Sequence, residues 1–251
     1  MISYLESLFS LKGKTAIITG AGSSKGIGSD IALAFLKAGA NITCVSRSEK
    51  PVIKELEKYY TQCDISNFEK FNKVCTKTID LYGGIDILVN AAAVSLPSGD
   101  FSDQFERFNK TVNINLTSTY KCCEIVSLLM SNGGSIINIT SIGAMTGFPD
   151  NPGYIASKGG LRALTKSLAE DFSVKKIRVN NIAPGYIKTN MTKQSFEKLE
   201  LYNARLDRMI IKRWGEVDDI VGAAIFLASN ASSYVTGIDL VIDGGWLAKG
   251  L

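Results

Sequence analysis

Tyr154 and Lys158 stand one helical turn apart in GYIASKGGLRALTKSLAEDF (153–172), within a chain of 251 residues that contains no histidine. Without imidazole, proton transfer falls to tyrosine, lysine or carboxylates, and Ser-His-Asp and Cys-His hydrolases are excluded. A free phenol ionises at about pH 10, too high to exchange protons readily near neutrality. A fixed ammonium close by favours the phenolate and lowers that value. Positions i and i+4 share a helix face, so Lys158 is expected below Tyr154, or bridged to it through a bound ribose. On its own such a pair is ordinary helix decoration; its setting decides.

That setting begins with Ser141. The run SIINIT (135–140) reads as a central strand, and Ser141 follows its carboxyl end, where open α/β sheets place their ligands. Its hydroxyl is placed to hold a carbonyl or alcohol beside Tyr154. Near the amino terminus, TAIIT runs into the turn TGAGSSKGIGSDIALAF, with a helix expected to begin near Ile27. Gly22, Gly26 and Gly28 allow backbone N–H groups to approach a pyrophosphate, and the helix end adds partial positive charge. A kinase-type P-loop is excluded because Lys25 precedes Gly26. The second strand ends CVSRSEK, with Ser46 where an acid would take the two ribose hydroxyls of NAD. Arg47 stands beside it, and Lys25 offers a second cation. These favour NADP(H), whose extra phosphate they suit; NAD(H) stays open, since Glu49 is near enough in sequence to take a ribose.

The elements that must position these residues alternate along the chain. Apolar, β-branched runs occur at 15–19, 41–46, 85–90, 135–140, 177–183 and 239–243, separated by segments with apolar residues three and four apart. Strands apolar on both faces belong to a parallel sheet covered by helices on each side. We therefore expect one α/β domain over 1–251, a Rossmann-like doubly wound parallel sheet. Residues 1–10 read as an N-terminal extension. Residues 189–215, polar and helical in pattern, read as a small mobile insert over the ligand site.

Composition narrows the class. The net charge of +4 is spread over mixed signs, so nucleic acid is not an expected partner. Five cysteines without a CxxC spacing fit reduced thiols in a cytoplasmic protein, not a metal or disulfide framework. MISYLESLFSLKGK lacks the pattern of a signal peptide, and no run is long and apolar enough to span a membrane.

Several stretches together resemble the short-chain dehydrogenase/reductase family over about residues 11–246. TGAGSSKGIG resembles its TGxxxGxG turn, CDIS (63–66) its adenine-contacting Asp motif, and VNAAA (89–93) its NNAG. NIN (113–115), ITS (139–141), YIASK (154–158) and NNIAPGYIKT (180–189) resemble its Asn, Ser, YxxxK and N-x-PG-x-x-x-T segments. The resemblance implies a Tyr154 proton donor in reduction and base in oxidation, tuned by Lys158. It implies that Ser141 polarises the carbonyl and that Asn115 orders a water in a proton relay. Cofactor contacts are implied for Gly20, Gly22, Ser24, Lys25, Gly26, Ile27, Gly28, Ser46, Arg47, Asp64, Ile65, Asn90, Ala91 and Ala92, together with Tyr154, Lys158, Pro184, Gly185, Ile187 and Thr189. Two departures stand out. The glycine turn is two residues longer than the pattern if counted from Gly20, or in register if counted from Gly22. Ala91 also replaces the second Asn of NNAG, removing side-chain bonds that stabilise the sheet there.

The C-terminal third, with RWG (213–215) and GGWLA (244–248), resembles sugar-acid dehydrogenases of the gluconate and deoxygluconate kind. Arg205, Arg208 and Arg213 are candidates for pairing with a substrate carboxylate. The expected partner is thus a small carbonyl or alcohol substrate, with a homotetramer (or homodimer) implied by the family. Two alternatives stay open. One is a 3-oxoacyl-acyl-carrier-protein reductase, docking its carrier on Lys193, Lys198 and Arg205. The other is a non-catalytic dinucleotide-sensing protein, which would have lost part of the Asn115, Ser141, Tyr154 and Lys158 set.

Overall fold

A computed structural model describes residues 3–96 and 103–250; Met1 and Ile2 of the N-terminal extension, and Leu251, lie outside the described residues. Seven strands form one parallel sheet in the order β3-β2-β1-β4-β5-β6-β7. They are β1 (Thr15–Thr19), β2 (Asn41–Ser46), β3 (Tyr60–Gln62), β4 (Ile87–Asn90), β5 (Gly134–Ile139), β6 (Ile177–Pro184) and β7 (Asp239–Ile242). The chain builds outward from β1 to β3, then returns to pair β4 on the other side of β1. That reversal opens a crevice above the carboxyl ends of β1 and β4.

Alternation along each strand divides the interior into two cores. Ile18, Ile42, Val89, Ile137 and Ile182 pack against Ile31 and Phe35 of α2 (Ile27–Lys37) and Ile220 and Leu227 of α9 (Asp218–Ala228). On the opposite face, Ile17, Val45, Leu88, Ile136 and Val179 pack against three helices. These are α3 (Phe68–Tyr82), α5 (Thr119–Leu129) and α6 (Pro152–Asp171). The two-sided burial expected of a doubly wound sheet is present.

Two elements exceed the sequence reading. Strand β3 is only three residues, half exposed and without an apolar run, and it forms because Cys44–Ser46 offers a free edge to Tyr60–Gln62. The extension contains α1 (Tyr4–Phe9), capped by the Ser3 hydroxyl accepting from Glu6 N–H at 3.2 Å.

The insert holds α7 (Lys193–Glu197) and α8 (Leu199–Arg208). Its polar pattern hides an aromatic anchor. Trp214 is fully buried, with Tyr202 stacked on it at 5.7 Å and Phe196 edge-on at 6.0 Å. Tyr186 and Trp246 extend the same cluster, 5.7 Å apart. The insert is therefore seated on a satellite core and is not a bare surface hairpin.

Candidate active site

The crevice over β1 and β4 is a cleft of about 320 Å³. At one end lies the glycine-rich turn. β1 ends at Thr19 and Gly20 follows with φ +74°, so the turn is the longer version, counted from Gly20. A Cβ on Gly20 would stand 2.6 Å from Ala92 N, and one on Gly28 would stand 2.8 Å from Gly20 O. Those approaches bring the first turn of α2, whose leading N–H groups have no partner within the helix, directly against the carboxyl end of β1. Gly20, Lys25, Gly26, Ile27 and Gly28 all line the cleft. Gly22 and Ser24 do not. Gly22 lies against β2, where a Cβ would meet Ser46 Oγ at 2.5 Å, and the Ser24 carbonyl accepts from Asn190 Nδ2 at 2.6 Å. Both are packing residues of the turn.

Ser46, Arg47, Asp64 and Ile65 line the wall beside that turn, joined by Ser23, Ser48 and Cys63. Here the short β3 positions the exit of β2. Gln62 Nε2 donates to Arg47 O at 3.0 Å, and the Tyr60 hydroxyl donates to Ser48 O at 2.8 Å. Ala91 and Ala92 form the floor, and the Thr19 hydroxyl accepts from both of their N–H groups at 3.2 Å. Thr19 thus supplies bonding between β1 and β4 where Ala91 brings no side-chain amide. Asn90 is turned away from the cleft. Its Nδ2 donates to Asn138 Oδ1 at 2.9 Å and to Cys123 Sγ at 3.2 Å, so its side chain cannot line a ribose as the resemblance implied.

At the other end of the cleft stand Ser141, Tyr154 and Lys158, with Pro184, Gly185, Ile187 and Thr189 opposite. Ser141 caps the turn Ile142–Ala144, its Oγ accepting from Gly143 N–H at 3.0 Å. Lys158 is buried, and its Nζ donates to Ile139 O at 2.7 Å. Burial lowers the Lys158 ammonium to about 8. The Tyr154 phenol moves the other way. Desolvation raises it above its ordinary value, and a hydrogen bond with the Ser141 hydroxyl partly offsets this. The expected depression of Tyr154 by Lys158 is therefore not seen. Lys158 Nζ lies 5.7 Å from the Tyr154 ring centroid, and its hydrogen bond goes to a backbone carbonyl rather than to the phenol.

Asn115 is fixed through its side-chain amide. It sits in a π-helical segment, Asn113–Ser118, inserted between α4 (Gln104–Val112) and α5. Its side-chain Nδ2 donates to Val94 O at 2.9 Å and to Ser157 Oγ at 3.2 Å, while its Oδ1 accepts from Val94 N–H at 2.8 Å. The amide is thus committed to holding the segment that follows Ala93 against α6. A water could be ordered only by its backbone carbonyl, which already accepts from Thr119 Oγ1 at 3.0 Å. A π turn inside a helix often marks a functional site, because it displaces carbonyls from their usual partners.

Several lining residues carry no sequence signal, Asn190 among them. Asn190 follows Thr189 on the rim and reaches across to the glycine turn, a contact between segments far apart in the chain.

Comparison with known proteins agrees with this geometry. The model of a family described as "Enoyl-(Acyl carrier protein) reductase" matches residues 20–247. A 2-dehydro-3-deoxy-D-gluconate 5-dehydrogenase from Bacillus subtilis is 37% identical, over 99% of this chain and 100% of its own. A 3-oxoacyl-acyl-carrier-protein reductase from Thermotoga maritima is 33% identical, over 94% of this chain and 98% of its own. Among solved structures, a gluconate 5-dehydrogenase from Burkholderia cenocepacia, in complex with NADP and tartrate, superposes with a TM-score of 0.89 at 30% identity. That alignment covers 98% of this chain and 100% of the other. With a parallel Rossmann-like sheet, a glycine turn at its switch point and Ser, Tyr and Lys gathered in one cleft, the chain belongs to the short-chain dehydrogenase/reductase family of oxidoreductases.

Proposed function

We propose that this protein is an NADP(H)-preferring dehydrogenase/reductase that interconverts a secondary alcohol and a ketone on a sugar, sugar acid or related polyol, and uses NAD(H) less well. One observation carries the reading: a single cleft has Lys25 and Arg47 at one end and Ser141, Tyr154 and Lys158 at the other. The glycine turn, where added Cβ atoms would collide, suits the pyrophosphate of a dinucleotide, and the two cations suit a 2′-phosphate. Bound there, the nicotinamide dinucleotide supplies or accepts the hydride.

The chain's own residues handle the proton. In reduction, the Ser141 hydroxyl holds the substrate oxygen and Tyr154 gives its phenolic proton to that oxygen. The resulting phenolate is costly in a desolvated site, and the Lys158 ammonium beside it is the available counter-charge. Burial lowers that ammonium to about 8, so it still carries its charge at neutral pH. In oxidation the same phenolate takes the alcohol proton.

Relatives named for gluconate and deoxygluconate chemistry support the sugar-acid substrate class. The acyl-carrier reading is less well supported. Of its three docking cations, Lys193 already has an acidic partner, Glu197, at 3.7 Å. Retention of Ser141, Tyr154 and Lys158 opposes a non-catalytic role. The family's habit supports a cytoplasmic homotetramer.

A screen of NADPH and NADH consumption over ketoses, keto-sugar acids and acetoacetyl thioesters tests the proposal. Turnover of keto-sugar acids with NADPH, abolished in Tyr154→Phe, is expected. Turnover of the thioesters alone would overturn it.

A further inference from the structure

The insert carries three arginines that differ in what they touch. Arg213 is saturated: its Nη1 and Nη2 grip Asp219 Oδ2 and Oδ1 at 2.6 and 2.7 Å. Arg208 lies over the outer side of the aromatic cluster, 4.2 Å from the Trp246 ring, and is exposed. Arg205 is different. Its guanidinium lies 4.9 Å above the Tyr186 ring and Nη1 donates to Leu201 O at 3.1 Å, yet its buried Nε has no acceptor. No acidic side chain pairs with it among the described residues.

Its position gives that spare capacity a use. Tyr186 lies between Gly185 and Ile187, both of which line the cleft. The Phe148 ring is 6.2 Å from Tyr186 and packs over Gly143, in the turn that Ser141 caps. Phe148 and Tyr186 therefore link the turn that Ser141 caps to the Arg205 guanidinium, in contact with residues that line the cleft. The Tyr186 ring fixes the plane of the fork, and a fixed planar fork is the side chain best suited to a carboxylate. A half-buried cation with an unmet donor gains most from an anionic ligand.

We infer that Arg205 is the carboxylate subsite of this enzyme, holding the acid group of a sugar-acid substrate whose alcohol or ketone carbon lies at Ser141 and Tyr154. The inference rests on the sugar-acid reading above and names the residue that makes it selective.

Two measurements separate the subsite from the substrate reading. Calorimetric binding of D-gluconate and of its uncharged counterpart D-sorbitol, with NADP⁺ present, reports the subsite without turnover. The wild-type chain is expected to bind gluconate more tightly, and Arg205→Met to lose roughly 10- to 100-fold of that affinity. Arg205→Lys keeps the charge without the planar fork and is expected to recover only part. Steady-state kinetics then gives the ratio of kcat/KM for gluconate over sorbitol, which should fall by a like factor in Arg205→Met through KM. Binding of gluconate that depends on Arg205 without turnover would keep the subsite and sink the substrate reading. Equal losses on both ligands, or no gluconate binding by the wild-type chain, would overturn the subsite. Unchanged NADPH binding and melting temperature in the variants guard against misfolding.

Discussion

Asn190 donates its side-chain amide to the backbone carbonyl of Ser24 at 2.6 Å, and its own N–H reaches Lys25 O at 3.3 Å. Two segments that form opposite rims of the cleft are thereby tied across its mouth. Lys25 holds φ +49°, a left-handed conformation uncommon for a residue with a side chain, and its carbonyl is one of the two acceptors. The tie is exposed, so its net worth is no more than about 1 kcal/mol. We expect Asn190→Ala to release NADPH about fivefold faster in stopped-flow fluorescence while leaving the melting temperature nearly unchanged. An unaltered release rate would show that the rims are held by other contacts.

The fold is legible in the sequence because burial on both faces writes itself as continuous apolar runs: TAIIT and ILVN are wholly buried. β3 was not readable, since YTQ is stabilised by an edge offered from β2 rather than by its own composition. In the site, Ser141, Tyr154 and Lys158 were legible from type and spacing. What spacing could not give was the direction of each side chain. Asn90 and Asn115 both turn into hydrogen-bond networks, and the Lys158 amine turns to Ile139 O. Whether an ammonium lowers a phenol depends on such angles and on desolvation, which here raises Tyr154.

Lys158 makes stability depend on pH in a defined window. Its folded-state value is lowered from 10.5 to about 8 by burial. Between those values the unfolded chain holds a proton that the folded chain has released, so this group makes stability rise with pH across the window. Below it, the buried ammonium is a standing cost of roughly 3 kcal/mol, offset in part by its bond to Ile139 O. Lys158→Met should therefore stabilise the cofactor-free protein by on the order of 1–2 kcal/mol near neutral pH, and abolish turnover. The gain should shrink as the pH is raised towards 10.5. Denaturant unfolding of both chains across that range is the check; a gain independent of pH would assign it to packing alone.

Arg47 and Lys25 are exposed cations on the same cleft, and no ion pair of theirs occurs among the described residues. If they serve a 2′-phosphate, Arg47→Asp removes a charge-assisted contact and adds repulsion. NADP(H) affinity should fall roughly 10- to 100-fold, with NAD(H) affected by less than about threefold. Fluorescence titration with both reduced cofactors decides; parallel losses would remove Arg47 from phosphate recognition.

The helix bearing Tyr154 and Lys158 is held by a buried polar chain. Asn90, Asn138, Asn181 and Asp239 occupy one row of the sheet, each in register with the next across β4, β5, β6 and β7. Thr165 of α6 closes the row: it accepts from Asn138 Nδ2 at 2.8 Å and donates to Asn181 Oδ1 at 2.7 Å. Asn181 Nδ2 continues to Asp239 Oδ1 at 2.8 Å, and Arg162 of the same helix donates to Asp239 Oδ2 at 2.6 Å. Thr165 and Lys158 are two turns apart on the buried face of α6, so the hydroxyl fixes how that face sits on the strands. Thr165→Val keeps the shape but strands a donor and an acceptor in the interior, a cost of roughly 2–4 kcal/mol. Turnover should fall with KM for cofactor little changed, because the glycine turn lies on other elements. Thr165→Ser restores the hydroxyl and should recover both stability and kcat. If Thr165→Val lowered stability while kcat stayed at the wild-type value, the chain would brace the sheet without positioning the tyrosine.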